Sequence, residues 1–163
     1  MALVLSEAHL DEIRNHGARE YPSECCGALL GSEADGIKRV SRVAPLRNIR
    51  HDPGRAEQLL PLSDAGRESE RNRFLIDPQE LRKLESEAKR DGLEVIGYYH
   101  SHPDHPARPS DYDRVHAFPW YSYAIIAVEG GKPGMFASWV LEEDRSRFVE
   151  EAIQVTSAPL KAV

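Results

Sequence analysis

The residues with the clearest chemical potential lie between positions 100 and 113. His100 and His102 follow an apolar run, residues 93–99, that is typical of a buried strand. Side chains two apart on a strand point to the same face, about 7 Å apart at their backbones, so both imidazoles can reach one metal ion. Pro103 has no N–H and ends the strand, and Asp113 follows after the chain turns back. Two histidines and one carboxylate leave the fourth position of tetrahedral zinc open for water, which is typical of a catalytic site.

The same residues also allow a purely structural interpretation. Ser110-x-x-Asp113 fits a helix capping box, in which Ser110 is the N-cap and Asp113 reaches back to its N–H. A loop histidine such as His105 is more often solvated than metal-bound. The His-x-His pair favours the metal site, because a buried strand seldom ends in two imidazoles on one face without a use for them.

These motifs resemble those of the JAMM/MPN+ metalloprotease family. His100-Ser101-His102-Pro103 followed by Ser110-x-x-Asp113 matches the family pattern in every motif position, and Glu24-x-x-Gly27 matches its upstream glutamate motif. The resemblance extends from the first helix to a strand ending near Leu141. It implies an α/β fold with three layers and a mixed sheet, similar to cytidine deaminases, in a single metalloprotease domain over residues 1–163.

The resemblance also implies roles for individual residues. One Zn²⁺ per chain would be held by His100, His102 and Asp113, with Glu24 as general base and acid. Ser110 resembles the family's serine that donates a hydrogen bond to the developing oxyanion.

Other polar residues offer alternatives to this assignment. His51, His105 and His116 are further candidate ligands, and His116 could support the site from the same helical face as Asp113. Ser101 lies on the opposite strand face and is predicted to be structural.

The implied activity is that of a zinc peptidase acting on a ubiquitin-like sulfur carrier. It would hydrolyse the amide bond after the carrier's C-terminal Gly-Gly and release, for example, cysteine. The alternatives are a deubiquitinase-like isopeptidase and a non-catalytic module that binds ubiquitin-like partners. A zinc deaminase is disfavoured because the chain contains no Cys-x-x-Cys. The oligomeric state stays open.

Composition limits the remaining function classes. The 163 residues are enough for one domain with a substantial core, and a formal net charge of −6 argues against nucleic-acid binding. The apolar first five residues are too short for a signal peptide and no stretch is long enough to span a membrane, so we expect a cytoplasmic protein. Cys25 and Cys26 are predicted to be packed, reduced thiols on opposite strand faces, one in the core and the other under a helix.

The elements that must position these residues follow from local patterns. Ser6 is predicted to cap a helix ending near Arg19, and Asp77-Pro78 to begin another that stops at Asp91-Gly92. Residues 47–73 are polar and predicted to form a flap beside the site, with Asn48 near the substrate. The other expectations are strands at 25–30, 37–46, 74–76, 121–128 and 135–141, a short helix at 115–118, and either a strand or a helix at 147–155.

Overall fold

The computed structural model describes residues 1–51 and 74–157. Seven strands and three α-helices are present in these ranges, together with a short 3₁₀ turn at Ile49–His51. In chain order they are β1 (Ala2–Ser6), α1 (Glu7–Glu20), β2 (Cys26–Ala34), β3 (Ile37–Leu46), α2 (Pro78–Arg90), β4 (Glu94–Pro103), α3 (Asp111–His116), β5 (Ser122–Glu129), β6 (Lys132–Leu141) and β7 (Phe148–Thr156).

The strands form one mixed sheet that closes on itself in the order β1-β3-β2-β4-β5-β6-β7. β4 and β5 are parallel, whereas β2 is antiparallel to both β3 and β4. The mixed sheet and its helices agree with the predicted α/β class, but the seven strands form a closed sheet, which the predicted three-layer arrangement did not include. The physical reason is β1, which pairs in parallel with both β3 and β7 and so joins the two sides of the sheet.

Two helices cover the sheet on either side of β2 and β4. Ser6 caps α1 as predicted, and buried Leu10 and Ile13 of that helix belong to the same apolar cluster as Cys25. Cys26 belongs to a second cluster, which contains Leu84 and Ala88 of α2. The predicted division of the two thiols between opposite faces is therefore confirmed. Burial raises the pKa of the Cys25 thiol to about 11, which keeps it protonated.

Three local predictions need correction or completion. Residues 74–76 form no strand; instead Leu75 is held by hydrogen bonds to Asn48 and Ile49. The helix predicted at 115–118 lies instead at Asp111–His116, because Ser110 is its N-cap and Ala117 has an extended backbone. Residues 148–156 are a strand, because they pair with both β6 and β1.

Most of the predicted flap, residues 52–73, lies outside the described residues.

Gly27 shows why the Glu-x-x-Gly pattern requires glycine at its last position. The ring of Tyr99 lies across Gly27 so closely that a Cβ atom there would overlap it. Tyr99 is fully buried, and its hydroxyl forms a 2.8 Å hydrogen bond with Nδ1 of His16 on α1. Gly27 and Tyr99 are directly opposite each other in β2 and β4, the two strands that bring the candidate site together. Within the described ranges, no helix is long and apolar enough to cross a membrane.

Candidate metal centre

The two histidines at the end of β4 converge as their spacing predicts. The Nε2 atoms of His100 and His102 are 3.0 Å apart, and both side chains are buried. Nδ1 of His102 is 2.8 Å from the carbonyl oxygen of Pro106, so an N–H at this position donates to that carbonyl. This hydrogen bond orients the ring and leaves the Nε2 lone pair facing His100.

Asp113 reaches the histidines from the first turn of α3. Its Oδ2 atom is 3.3 Å from Nε2 of His100 and 3.3 Å from Nε2 of His102. The Ser110 backbone N–H donates to the same oxygen at 2.8 Å, and the Asp113 N–H donates to Ser110 Oγ at 3.1 Å. The capping box and the metal-site interpretation are therefore compatible: the cap holds the carboxylate in the place where it meets both rings.

The separations of these three atoms fit one small metal ion. Ligands about 2.0–2.1 Å from a tetrahedral zinc ion lie about 3.3 Å from one another. The observed values are 3.0, 3.3 and 3.3 Å. Two nitrogen ligands and one carboxylate oxygen are also a donor set that zinc accepts in catalytic sites.

The charge states are those that metal ligands require. Burial lowers the pKa of His100, which favours the neutral imidazole. Burial by itself disfavours the charged form of Asp113, but the adjacent His100 and the Ser110 N–H that donates to Oδ2 outweigh it and lower the pKa of the carboxyl. The site thus presents nitrogen lone pairs and a carboxylate.

Glu24 lies beside the histidines although it is 76 positions before His100 in the chain. The antiparallel register pairs Cys26 with His100, which brings Glu24 to the level of His102. Glu24 is 3% exposed, and a carboxylate oxygen lies within 4.8 Å of ligand atoms of both histidines. Asp113 approaches both histidines at 3.3 Å and is a candidate ligand. Glu24 is close enough to the same nitrogens to be either a further candidate ligand or the base.

The backbone around Glu24 is held from two sides. Asn48 donates from Nδ2 to the Glu24 carbonyl at 3.0 Å. On the other side, the Cys25 N–H donates to Ser101 Oγ at 2.8 Å and the Ser101 N–H donates to the Cys25 carbonyl at 3.1 Å. The structural role predicted for Ser101 is confirmed. The position of Asn48 beside the substrate remains a prediction, but its side chain already links the Glu24 segment to residues 50 and 75.

An apolar cavity of about 250 Å³ opens next to the histidines, with His100 and Asp113 in its wall. Phe74 lines it and stacks on the His100 ring, with centroids 4.7 Å apart and planes at 30°. No local pattern in the sequence links residue 74 to residue 100, so this contact was not predicted. The remaining lining is mainly aromatic and aliphatic: Leu75, Ile76, Leu81, Tyr98, Tyr112, Ala117, Phe118 and Tyr123.

The other predicted polar residues are distributed as follows. Ser110 is exposed, and its oxygen accepts from the Asp113 N–H, which leaves the hydroxyl hydrogen free to donate outward. His116 lines the apolar cavity and bonds through Nδ1 to the Tyr112 carbonyl at 2.9 Å. His105 and Asp111 are exposed. The side chain of His51 lies outside the described part of the structure.

Comparison with known proteins identifies the family. Residues 6–142 match the model of the prokaryotic homologs of the JAB domain. The chain belongs to this prokaryotic branch of the JAB/MPN family, as the sequence motifs predict.

Relatives with descriptive names include the following two proteins. The chain is 32% identical over 130 residues to a "Probable TtuB-protein conjugate cleaving protease" of Thermus thermophilus, covering 80% of this chain and 73% of that protein. It is 30% identical over 131 residues to a "Desampylase" of Haloferax volcanii, covering 80% and 81% of the two chains.

Solved structures agree on the fold. A protein from Desulfitobacterium hafniense superimposes with a TM-score of 0.74 at 29% identity, covering 97% of this chain and 94% of that chain. A protein from Salinibacter ruber gives 0.66 at 36% identity, with coverages of 99% and 96%. A JAB1/MPN domain protein from Archaeoglobus fulgidus gives 0.50 at 17% identity, covering 94% and 99%, and supports the fold alone.

Proposed function

We propose that this protein is a zinc-dependent peptidase that hydrolyses the amide bond after the C-terminal Gly-Gly of a ubiquitin-like sulfur carrier. The observation that carries the proposal is the convergence of His100, His102 and Asp113 on one point, with Glu24 buried beside them. Family membership supports the same chemistry. We further propose one zinc ion per chain, a single catalytic domain and a cytoplasmic location.

The chain's own residues supply the acid–base chemistry. A zinc ion at this place would provide Lewis-acid activation of the scissile carbonyl and of the attacking water. Glu24 takes a proton from that water and passes it to the leaving amine nitrogen. The Ser110 hydroxyl donates a hydrogen bond to the oxygen on which negative charge develops. The apolar cavity beside His100 receives apolar side chains of the substrate's extended tail.

A second candidate function is the cleavage of isopeptide bonds in ubiquitin-like conjugates. The observation in its favour is the name of the Thermus thermophilus relative, which refers to the cleavage of protein conjugates. The two activities use the same site and differ in the amine that leaves. An amino acid joined through its α-amine leaves in the first case, and a lysine side chain leaves in the second.

The test compares both substrate types in one assay. A ubiquitin-fold sulfur carrier ending in Gly-Gly is extended by cysteine, and a second sample is joined to a lysine side chain. Mass spectrometry follows cleavage by the zinc-loaded protein, by the chelator-treated protein and by Glu24→Gln. We expect cleavage of the cysteine adduct that chelation abolishes, that added zinc restores and that Glu24→Gln nearly eliminates while retaining zinc.

Glu85→Gln is the matched control, because Glu85 is an exposed glutamate on α2. It should leave cleavage intact. Normal turnover by Glu24→Gln would show that another group is the base. Survival of the cysteine adduct while the isopeptide conjugate is cut would replace the sulfur-carrier assignment with the isopeptidase.

A further inference from the structure

A second depression lies on the other side of α3 from the apolar cavity. It has a volume of about 360 Å³. Its lining includes Ser110, Asp111 and Arg114 of α3 and its cap, Arg108 of the preceding loop, and Arg147 directly before β7. We call it the arginine groove. Ser110 therefore stands between the metal-binding residues, to which its N–H is linked through Asp113, and a groove with three guanidinium groups.

The charge of the arginine groove is opposite to that of the chain. The protein carries a formal net charge of −6, yet the groove combines three arginines with a single carboxylate, Asp111. Arg147 forms an ion pair of 3.2 Å with Glu142, and Arg114 donates to the Arg145 carbonyl at 3.4 Å. A ligand that uses this groove should therefore carry negative charge.

Arg108 is the arginine of this groove that keeps all of its guanidinium donors open to a ligand. It is exposed, and among residues 1–51 and 74–157 its guanidinium has no hydrogen bond or ion pair. A guanidinium presents planar pairs of N–H donors that match the two oxygens of a carboxylate.

The backbone of Arg108 is anchored to the candidate metal centre. Its N–H donates at 2.8 Å to the Pro106 carbonyl, and the same carbonyl is 2.8 Å from Nδ1 of His102. Ala107, directly before it, is 1% exposed, and its carbonyl accepts from Trp139 Nε1 at 3.1 Å. The backbone of Arg108, from which its side chain extends, is thus held at a defined place relative to the candidate metal centre.

We infer that Arg108 binds the α-carboxylate of the leaving amino acid and so selects for α-linked adducts. The inference rests on the proposed function. When a single amino acid is joined after Gly-Gly, the carbon that bears the scissile nitrogen also bears the free carboxylate. That carboxylate must lie next to the scissile bond, on the leaving-group side of Ser110. A lysine joined through its side chain has no carboxylate there, so an arginine at this place distinguishes the two kinds of conjugate.

The experiment varies one functional group of the substrate. The carrier used in the adduct assay is joined to alanine with a free carboxylate or to alaninamide, and kcat/KM is measured for both with the zinc-loaded protein. Because a hydrogen bond between charged groups is stronger than a neutral one, we expect the free carboxylate to be preferred by about 10- to 100-fold. Arg108→Gln should bring this ratio close to one, and Arg108→Lys should restore part of it. Arg90→Gln is the control, because Arg90 is exposed at the end of α2 and should leave the ratio unchanged.

Three results would overturn the inference, and they are distinguishable from failure of the proposed function. Equal cleavage of both adducts by the unaltered protein would leave the peptidase standing without a carboxylate site. A preference that persists in Arg108→Gln would exclude Arg108 as its cause. Equally fast release of a side-chain-linked lysine would exclude selection for α-linked adducts. Cleavage of neither adduct would instead refute the proposed function itself.

Discussion

Asn48 offers the sharpest prediction on how the candidate site is held together. Its side chain donates to the Glu24 carbonyl and accepts from the N–H groups of Arg50 and Leu75, at 3.0 Å in each case. Leu75 follows Phe74, which stacks on His100. One amide therefore connects the segment that carries the candidate base with the segment that covers a candidate ligand.

The expected loss of stability in Asn48→Ala can be worked out from these contacts. Each intramolecular hydrogen bond contributes about 0.5–1.5 kcal/mol to stability. Because the three bonds are only partly buried, we take the lower half of their sum, which is about 2 kcal/mol. For a slope of about 2 kcal/mol per molar in urea, the unfolding midpoint should fall by about 1 M.

The assay combines urea unfolding with zinc content and turnover. Asn15→Ala is the control, because Asn15 is exposed on α1 and its replacement should change stability by less than about 0.5 kcal/mol. Asn48→Asp keeps both acceptor contacts but loses the donor to the Glu24 carbonyl, so it should lower kcat with zinc retained. An unchanged urea midpoint in Asn48→Ala, or normal kcat in Asn48→Asp, would refute the proposed connection.

The remaining predictions concern the metal, the oxyanion and the packing behind the site. His102→Ala should purify with little zinc, because it removes one of the converging nitrogens; full occupancy by elemental analysis would argue against the site. Ser110→Ala should keep zinc and lower kcat by about 10²–10³-fold, whereas an unaltered kcat would remove its proposed role. Gly27→Ala should destabilise the protein by about 1–3 kcal/mol in urea unfolding, because its Cβ would overlap Tyr99. Gly134→Ala should be nearly neutral, because in the described part of the chain its Cβ would lie no closer than 3.8 Å, to the Ala127 carbonyl oxygen. Equal effects of the two substitutions would contradict this explanation.

Local sequence patterns were sufficient to predict the structure wherever residues close in the chain determine the geometry. The alternation of side chains along a strand places His100 and His102 on one face, and the capping box of Ser110 directs Asp113 toward them. Ser6 and Asp77 cap their helices in the same local way. These features depend on backbone periodicity and on hydrogen bonds within a few residues, so they can be predicted before the fold is known.

Contacts between residues far apart in the chain determined the closure of the sheet and the surroundings of the candidate site. Five residues at the N-terminus become β1 because β3 and β7 offer pairing partners on both sides, and this pairing closes the sheet. The stacking of Phe74 on His100 and the three bonds of Asn48 join segments that no periodicity relates. The sequence motifs thus determined which side chains could bind a metal. Only the packed structure decided what surrounds them, because side chains far apart in the chain meet only when strand register and helix packing bring them together.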